Sequence, residues 1–250
     1  MPHFQPIIHL PHSSTHFPHQ KGFVVNHTII QQEVLSFTDW FTHELFEHPD
    51  SIPVIAPFSR IFCDVERFQD DTQEPMSAYG MGVCYTKSDD GQTIRQLTPQ
   101  QKQEILDQYY TPHHQKLYQE VQRQLQHHNK ALIIDGHSFP DTPHRCNSNQ
   151  TQPRPDINIG ADAFHTPPAL LQAAVQFFES QGYSVGINWP YSGSLVPLAH
   201  YQSNKKVMSI MLELNRKLYL QEGSSKKSEN FTVIKTLVNA FITHMHQTAQ

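Results

Sequence analysis

The sequence predicts an α/β protein with a mostly parallel or mixed central sheet and helices on both faces. Short runs rich in Ile, Val and Leu alternate with longer segments in which apolar residues recur at helical spacing. The run at residues 131–134 shows no alternation of apolar and polar residues, which is typical of a strand covered on both faces. The 250 residues are expected to form a single domain, residues 1–250, with a sizeable core.

Charge and composition favour a small-molecule ligand. The formal net charge is −5, and like charges do not cluster beyond short lysine pairs such as Lys205–Lys206. This distribution argues against a nucleic-acid surface and against a polybasic membrane anchor. No stretch of eighteen apolar residues and no secretory signal pattern is present in the sequence. We therefore expect a soluble protein that binds a metabolite.

The cysteines indicate the compartment. Cys63, Cys84 and Cys146 form no C-x-x-C pair and are odd in number. This pattern supports neither a disulfide framework nor a cysteine-based zinc knuckle. It fits a reducing, cytoplasmic environment.

The first strand is predicted at residues 6–10, and it runs into a loop rich in Pro and Ser at 11–18. His12 therefore lies at the tip of a strand. A helix is predicted from about Ile30 to Glu47 on the basis of an apolar stripe. Within it, Asp39 and His43 share a face, either as a solvated pair or as an acid turned towards the strand tips.

Two short strands are predicted at residues 52–56 and 60–65, around a turn at 57–59. Arginines and acids concentrate at the second of them, and buried charges are costly unless they pair or meet a charged ligand. Arg60 and Arg67 could clamp a substrate carboxylate with their planar guanidinium groups. An internal Arg–Asp pair explains the same residues equally well.

The second half of the chain continues the alternation of strands and helices. Thr98 and Gln101 form a capping box around Pro99, which predicts a helix that runs to about His128 with a kink near Pro112. Further strands are predicted at 131–139, 155–160, 183–188 and 207–213, with a helix at 166–182 and another from about 231 to the C-terminus.

Polar residues gather where predicted strands end. Asp135 and His137 follow the apolar run at 131–134, and Glu213 ends the last strand. In open α/β sheets, ligands bind beyond the carboxyl ends of the strands. His137 is thus expected to meet His12 there. Buried glutamates are rare unless they are paired or catalytic, so Glu213 is a candidate functional residue.

This combination predicts a metal-dependent hydrolase of an acidic metabolite. Two histidines and a carboxylate can hold zinc with one position open for water, and a further glutamate can take the proton of that water. The sequence has no H-E-x-x-H, G-x-S-x-G, Walker or G-x-G-x-x-G motif, which disfavours helical zincins, serine hydrolases of the elbow type, P-loop NTPases and Rossmann enzymes.

A series of short motifs, in the same order as in a known protein family, adds to the evidence from the residues. The chain is similar to the N-formylglutamate amidohydrolase family from residue 11 to about residue 220. The motifs are Pro-His-Ser-Ser at 11–14, Phe-Pro at 17–18, Thr-Asp-Trp at 38–40 with Glu-Leu at 44–45, Ser-Arg at 59–60 with Asp-Val-Glu-Arg at 64–67, Ile-Asp-Gly-His-Ser at 134–138, Arg-Pro-Asp-Ile-Asn-Ile-Gly at 154–160, Phe-His-Thr-Pro at 164–167, Asn-Trp-Pro-Tyr-Ser-Gly at 188–193 and Glu-Leu-Asn-Arg-Lys-Leu-Tyr at 213–219.

The resemblance implies a phosphorylase/hydrolase-like fold, as in zinc carboxypeptidases, and hydrolysis of N-formyl-L-glutamate to glutamate and formate, a late step of histidine breakdown. It also implies one zinc ion and a set of residue roles. These are His12, His137 and Asp39 as metal ligands, Glu213 as general base, Arg60 and Arg67 as the clamp on the substrate carboxylate, Asn188 and Tyr191 as lining of the substrate pocket, and Asp135 as a partner that orients His137.

Two positions depart from the family pattern. Glu66 stands where Asn usually precedes Arg, and Ser194 stands where a second glycine is expected. An extra negative charge beside Arg67 would weaken the binding of an anionic substrate if it pointed inwards. The alternatives are a related zinc deacylase or carboxypeptidase acting on another N-acyl amino acid or peptide, and an inactive member that binds an acidic ligand.

Overall fold

A six-stranded sheet forms the centre of the protein in a computed structural model that describes residues 3–147, 149–221 and 223–250. The strands are β1 (Ile7–Leu10), β2 (Ile52–Ile55), β3 (Ala131–Phe139), β4 (Ile157–Gly160), β5 (Val185–Ile187) and β6 (Val207–Asn215), in the order β2-β1-β3-β6-β4-β5. β4 pairs with β6 in the antiparallel sense, whereas the other pairs are parallel. The predicted mixed α/β architecture is therefore confirmed.

Helices cover both faces of the sheet. They are α1 (His27–Phe37), α2 (Thr42–Leu45), α3 (Pro99–Ile105), α4 (Thr111–His128), α5 (Pro168–Glu179) and α6 (Phe231–Thr248). α4 packs on one face, where Leu117 and Val121 meet Ile7 and Ile133. α2, α5 and α6 pack on the other, against the large cluster that includes Leu132. Each fully buried Leu, Ile or Phe side chain contributes about 1.5–3 kcal/mol of transfer free energy.

The two faces of β3 differ in chemistry, because successive side chains of a strand point to opposite sides. Leu132 and Ile134 face the apolar cluster beneath α5 and α6. On the α4 side, Ile133 joins the core, but the next two side chains on that side belong to Asp135 and His137. Both titratable side chains of β3 thus lie on the α4 side, towards the carboxyl end of the strand.

Residues 56–95 form most of a layer beyond the carboxyl ends of the strands. Two smaller apolar clusters hold this layer. One includes Phe58, Phe62 and Leu106, and the other joins Ile61 and Tyr85 to side chains of α1. The layer positions the residues between Ser59 and Arg67 above the edge of the sheet.

Two predicted elements differ from the structure. The helix expected at 30–47 ends at Phe37, because Thr38 adopts an extended backbone conformation. The chain resumes as α2 only after Phe41, which is left-handed with φ of 61°. The expected strand at 60–65 is a series of turns. Charged side chains in and next to this segment pair with one another, and its backbone forms no strand of the sheet.

The capped helix at Thr98 is confirmed, including both hydrogen bonds of its capping box. A π-helical turn at Leu106–Tyr110 joins α3 to α4 just before Pro112, where the kink was expected. In the part of the chain that the structure describes, we find no helix with the length and apolar character needed to span a bilayer.

Candidate active site

A cavity of about 350 Å³ opens beyond the carboxyl ends of β1, β3 and β6. It brings together most of the site residues that were predicted from the sequence. Those that line it are His12, Asp39, Arg60, Arg67, His137, Tyr191 and Glu213. Residues from the two ends of the chain thus meet because the parallel strands end at the same edge.

The rings of His12 and His137 lie side by side, with 5.1 Å between their centroids. Both side chains are almost fully buried. Each ring turns its Nδ1 atom towards the Oδ2 atom of Asp39, at 3.7 Å from His12 and 3.1 Å from His137. Oδ2 of Asp39 therefore faces one imidazole nitrogen of each ring.

The Nε2 atoms of both rings face other carboxylates. Nε2 of His12 lies 2.9 Å from Oδ1 of Asp64. Nε2 of His137 lies 3.2 Å from Oδ1 of Asp135 and 3.1 Å from Oε1 of Glu66. An ionised carboxylate only accepts hydrogen bonds, so the contact with Asp64 places a proton on Nε2 of His12 and, in the neutral ring, a lone pair on its Nδ1. His137 faces carboxylates with both nitrogens, and its lone pair lies on Nδ1 in the tautomer that donates to Asp135 or Glu66.

This arrangement fits a metal ion. With both Nε2 protons donated to carboxylates, two Nδ1 lone pairs and Oδ2 of Asp39 face each other with no proton between them. Among the described residues, the buried Nδ1 of His12 has no hydrogen-bond partner. A cation satisfies all three atoms, and histidines that bind metals usually donate their other N–H to a carboxylate or carbonyl.

Without a cation, the surrounding carboxylates raise the pKa of both rings and so favour their protonated forms. Burial lowers the pKa of the His137 imidazolium, but Glu66 and Asp135 outweigh burial and hold the pKa well above its usual value. For His12, burial and Arg60 lower the pKa, whereas Asp64 and Glu66 raise it more strongly. A divalent ion would interact favourably with the same carboxylates and would take the place of these protons.

Asp39 is held in place from several directions. Its backbone N–H donates to the carbonyl of His12, and its Oδ1 accepts from Nη2 of Arg216 at 3.1 Å. Its own carbonyl accepts from the N–H and hydroxyl of Thr42 at the start of α2. Although burial raises the pKa of Asp39, its contacts with His12 and His137 hold it well below the usual value.

Glu66 points into the cavity between the two histidines. Its Oε2 lies 3.6 Å from Nε2 of His12, in addition to the contact of Oε1 with His137. The geometry therefore contains a second possible ligand set, in which Glu66 joins the two Nε2 atoms. We favour the Nδ1 set because Nε2 of His12 already has Asp64 as a close partner, whereas its Nδ1 has none among the described residues.

Glu213 lies directly across from His137 on the neighbouring strand β6. It lines the cavity, and its buried Oε2 has no hydrogen-bond partner in the described part of the chain. Burial raises the pKa of Glu213 to about 7. A carboxyl group with these properties can take up and release a proton near neutral pH.

Three arginines border the cavity, with different freedom to bind a ligand. Nε and Nη2 of Arg60 both donate to Oδ2 of Asp64, at 3.2 and 2.9 Å. Arg216 bonds to Asp39 and to the carbonyls of Ser36 and Ser138. The guanidinium of Arg67 forms only a 3.6 Å ion pair with Asp64 among the described residues, so its remaining N–H groups are the most available to a ligand.

Tyr191 and Asn188 occupy different positions. The hydroxyl of Tyr191 lies in the cavity wall, 3.4 Å from Nη1 of Arg154. Asn188, expected to line the substrate pocket, lies outside the cavity wall and is exposed. Its Oδ1 instead accepts from the backbone N–H groups of Ala161 and Gly193. The expectation for Asn188 is corrected because its left-handed backbone, with φ of 52°, turns the amide towards this loop.

Several residues of the site were not predicted to act in it. Asp64 and Arg216 carry no predicted role, and Glu66 is expected only to weaken the binding of an anionic substrate if it points inwards. His9 received no role, although it is a fully buried polar residue in an apolar strand. That burial pattern is the signal that could have drawn attention to His9, since buried polar groups require partners.

A family model described as N-formylglutamate amidohydrolase matches residues 4–220. The chain belongs to the N-formylglutamate amidohydrolase family. Its match covers every site residue discussed above.

Members of the N-formylglutamate amidohydrolase family are also among the similar proteins. The N-formylglutamate deformylase of Pseudomonas aeruginosa is 24% identical over 228 residues, which cover 86% of this chain and 82% of that protein. The N-formylglutamate deformylase of Pseudomonas putida is 26% identical over 196 residues, covering 74% and 71% respectively.

Solved structures share the fold of this family member. The crystal structure of N-formylglutamate amidohydrolase from Ralstonia eutropha JMP134 superposes with a TM-score of 0.82, covering 98% of this chain and 94% of that one at 22% identity. A gene product of Agrobacterium tumefaciens has a TM-score of 0.64 at 16% identity, with 98% and 87% covered. At these identities the likeness concerns the fold alone.

Proposed function

We propose that the protein is a zinc-dependent amidohydrolase that cleaves N-formyl-L-glutamate to L-glutamate and formate. The observation that carries this proposal is the convergence of Nδ1 of His12, Nδ1 of His137 and Oδ2 of Asp39 beside an unpaired glutamate, in a chain of this family. The deformylases of the two Pseudomonas species support the substrate.

In this proposal, His12, Asp39 and His137 hold the metal. A zinc ion bound there would polarise the formyl carbonyl and lower the pKa of a water molecule. Asp64 and Asp135 keep the ring protons on Nε2, so that both Nδ1 atoms remain available as ligands. Arg216 holds Asp39 from the side opposite to the histidines.

Glu213 acts as general base. Its ionised form accepts the proton of the attacking water, and its protonated form then donates that proton to the amine that leaves. The pKa of about 7 suits both steps, since a base is most effective when its pKa lies near the working pH.

Arg67 binds a carboxylate of the substrate, with Arg60 beside it. Guanidinium groups match carboxylates bidentately, and Arg67 has N–H groups without partners among the described residues. Arg60 is partly committed to Asp64, so it contributes mainly positive potential. Tyr191 closes the opposite wall of the pocket.

A zinc deacylase of a less acidic N-acyl amino acid is the second candidate. Glu66 favours it, because this carboxylate faces the cavity where the family pattern has an uncharged Asn. The wall formed by Phe37, Met76 and Met81 is apolar and could accept a larger or less charged group.

The proposed setting is a cytoplasmic enzyme of histidine breakdown that acts as a single catalytic domain on a small molecule. One sheet that receives strands from both ends of the chain supports the single domain. The free, buried cysteines are compatible with a reducing compartment.

The test is formate release by the purified protein from a panel of N-acyl amino acids, before and after treatment with a chelator. We expect N-formyl-L-glutamate to be the best substrate, activity to disappear with the metal, and zinc to restore it. A protein that prefers an uncharged N-acyl amino acid would support the second candidate. Full activity after complete removal of metal would exclude the zinc mechanism.

A further inference from the structure

A buried line of hydrogen bonds leads from α4 to the candidate metal site. Nε2 of His113, in α4, lies 2.9 Å from Nε2 of His9, in β1. Nδ1 of His9 lies 2.7 Å from Oδ1 of Asp135, in β3. The same Oδ1 atom lies 3.2 Å from Nε2 of His137. Four side chains from three elements are thus linked in series.

The polarity of the central bond follows from the chemistry of its partners. An ionised carboxylate can only accept, so Nδ1 of His9 must carry a proton and donate it to Asp135. The contact with His113 occupies the other nitrogen of the His9 ring and prevents the ring from turning away. His9 is fully buried, and a ring flip would leave both of its nitrogens without partners.

The donated proton restrains Asp135. Oδ1 receives N–H groups from His9 and His137, and Oδ2 receives the backbone N–H of Leu195 at 3.0 Å. A carboxylate held by three donors from three segments cannot rotate without losing a bond. Asp135 therefore presents Oδ1 to His137 in a fixed direction.

This restraint reaches the metal-facing atom of His137. While Nε2 donates to Asp135, the lone pair of Nδ1 points towards Asp39 and His12. If Asp135 could turn away, Nε2 of His137 would keep only Glu66, whose side chain is more exposed than that of Asp135. His137 could then move its proton to Nδ1 and bond to Asp39 instead. That tautomer cannot bind a metal through Nδ1.

A purely structural histidine is a poor explanation for this position. The neighbouring positions of β1 carry Ile7, Ile8 and Leu10, and His9 lies between the same layers. An apolar side chain would pack there without the desolvation cost of two ring nitrogens. The hydrogen bonds of His9 lead to the candidate site rather than to a backbone group.

We propose that His9, held by His113, is a positioning residue that sets the orientation and tautomer of His137 through Asp135. The inference rests on the metal site of the proposed function, but not on its substrate. Loss of the His9 hydrogen bond should weaken metal binding roughly 10–100-fold, which is typical for loss of an outer partner of a metal ligand.

The experiment compares His9→Leu with His9→Asn. Leucine removes the donor, whereas the amide N–H₂ of asparagine lies near the place of Nδ1 and can still donate to Asp135. Zinc affinity is measured by competition with a chromogenic chelator, and cobalt substitution reports the geometry of the site in the visible spectrum. His165→Leu is the matched control. His165 is also buried and has two hydrogen bonds, to the carbonyl of Val207 and from the N–H of Gln202.

We expect His9→Leu to bind zinc roughly 10–100-fold more weakly and to alter the cobalt spectrum. His9→Asn should keep most of the affinity, and His165→Leu should lower thermal stability without changing zinc affinity. If His9→Leu does not fold, His113→Leu replaces it, with a smaller loss expected because the His9–Asp135 bond remains. Unchanged zinc affinity in the folded variant, or equal losses in His9→Leu and His9→Asn, would overturn the proposal.

Formate release from N-formyl-L-glutamate is measured on the same samples. A wild-type protein that binds zinc but releases no formate would refute the substrate while the zinc affinities still decide the role of His9. A wild-type protein that binds no zinc would overturn the positioning role directly. Full deformylase activity with unchanged zinc binding in His9→Leu would refute only this inference.

Discussion

Nδ1 of His137 lies 3.1 Å from Oδ2 of Asp39, although both atoms are acceptors when the ring carries its proton on Nε2. Such a contact is unfavourable unless a positive group lies between the two atoms. In the metal-free protein, a proton on Nδ1 of His137 makes this contact a hydrogen bond. In the proposed enzyme, the positive group would be the zinc ion, and both residues would be its ligands.

The choice between Asp39 and Glu66 as ligand can be tested by their amides. Asp39→Asn is expected to weaken zinc binding by more than the roughly 10–100-fold typical of an outer partner, because a ligand is lost. Glu66→Gln should have a smaller effect, since Asp135 still holds Nε2 of His137. Chelator competition measures both. The reverse order of losses would assign the metal to the Nε2 atoms and Glu66.

Removal of the base should separate metal binding from turnover. Glu213→Gln is nearly isosteric, so we expect zinc stoichiometry to remain at one ion while kcat falls by roughly 10²–10⁴. Metal analysis and formate release check the two parts. Retention of most of the activity would show that another group accepts the proton.

Glu213 should also destabilise the metal-free protein at high pH. Its pKa of about 7 in the folded state lies above the ordinary value of 4.5, so the folded state binds the additional proton between these values. Stability is therefore lost as the pH rises through this window, by up to roughly 3 kcal/mol for this group.

Glu213→Gln removes the effect, because the amide does not titrate. We expect the metal-free variant to be more stable than the metal-free wild type at pH 8, and the difference to shrink towards pH 4.5. Urea unfolding at several pH values measures the free energy of unfolding of each protein. A difference that does not depend on pH would contradict the raised pKa.

Arg67 should strengthen the binding of the acidic substrate, so its loss should raise the KM. Loss of a charge-assisted hydrogen bond costs about 1.5–3 kcal/mol, so Arg67→Ala should raise the KM for N-formyl-L-glutamate roughly 10–100-fold.

The control is the same variant with N-formyl-L-glutamine, which lacks the side-chain carboxylate. If Arg67 binds that carboxylate, the variant should discriminate between the two substrates much less than the wild type does. A KM that rises equally for both would place Arg67 on the common α-carboxylate.

Local pattern was sufficient for much of the fold. The apolar runs predicted β3 and β6, and helical spacing with a capping box predicted α3 and α4. These elements are determined by burial and by hydrogen bonds between residues close in sequence, which leave a readable periodicity. The motif residues likewise indicated that His12, His137 and Glu213 would meet at the strand ends.

Tertiary structure decided the features that depend on distant contacts. The helix expected at 30–47 is interrupted before Phe41, which is left-handed. The expected strand at 60–65 is a series of turns, in which Arg60 and Arg67 pair with Asp64. Asn188 turned away from the cavity. No local pattern predicts these outcomes, because each depends on which hydrogen-bonding groups of distant residues lie nearby and lack a partner.

The sequence by itself determined an α/β family member with two histidines and a glutamate at its strand tips. Only the tertiary structure decided which nitrogen of each ring faces Asp39 and that Glu66 points inwards. It also decided that His113 contacts His9 across 104 positions of sequence, and that His9 contacts Asp135 across 126. The physical reason is that a proton on a ring nitrogen follows the nearest acceptor, and the acceptors here come from strands and helices far apart in the chain.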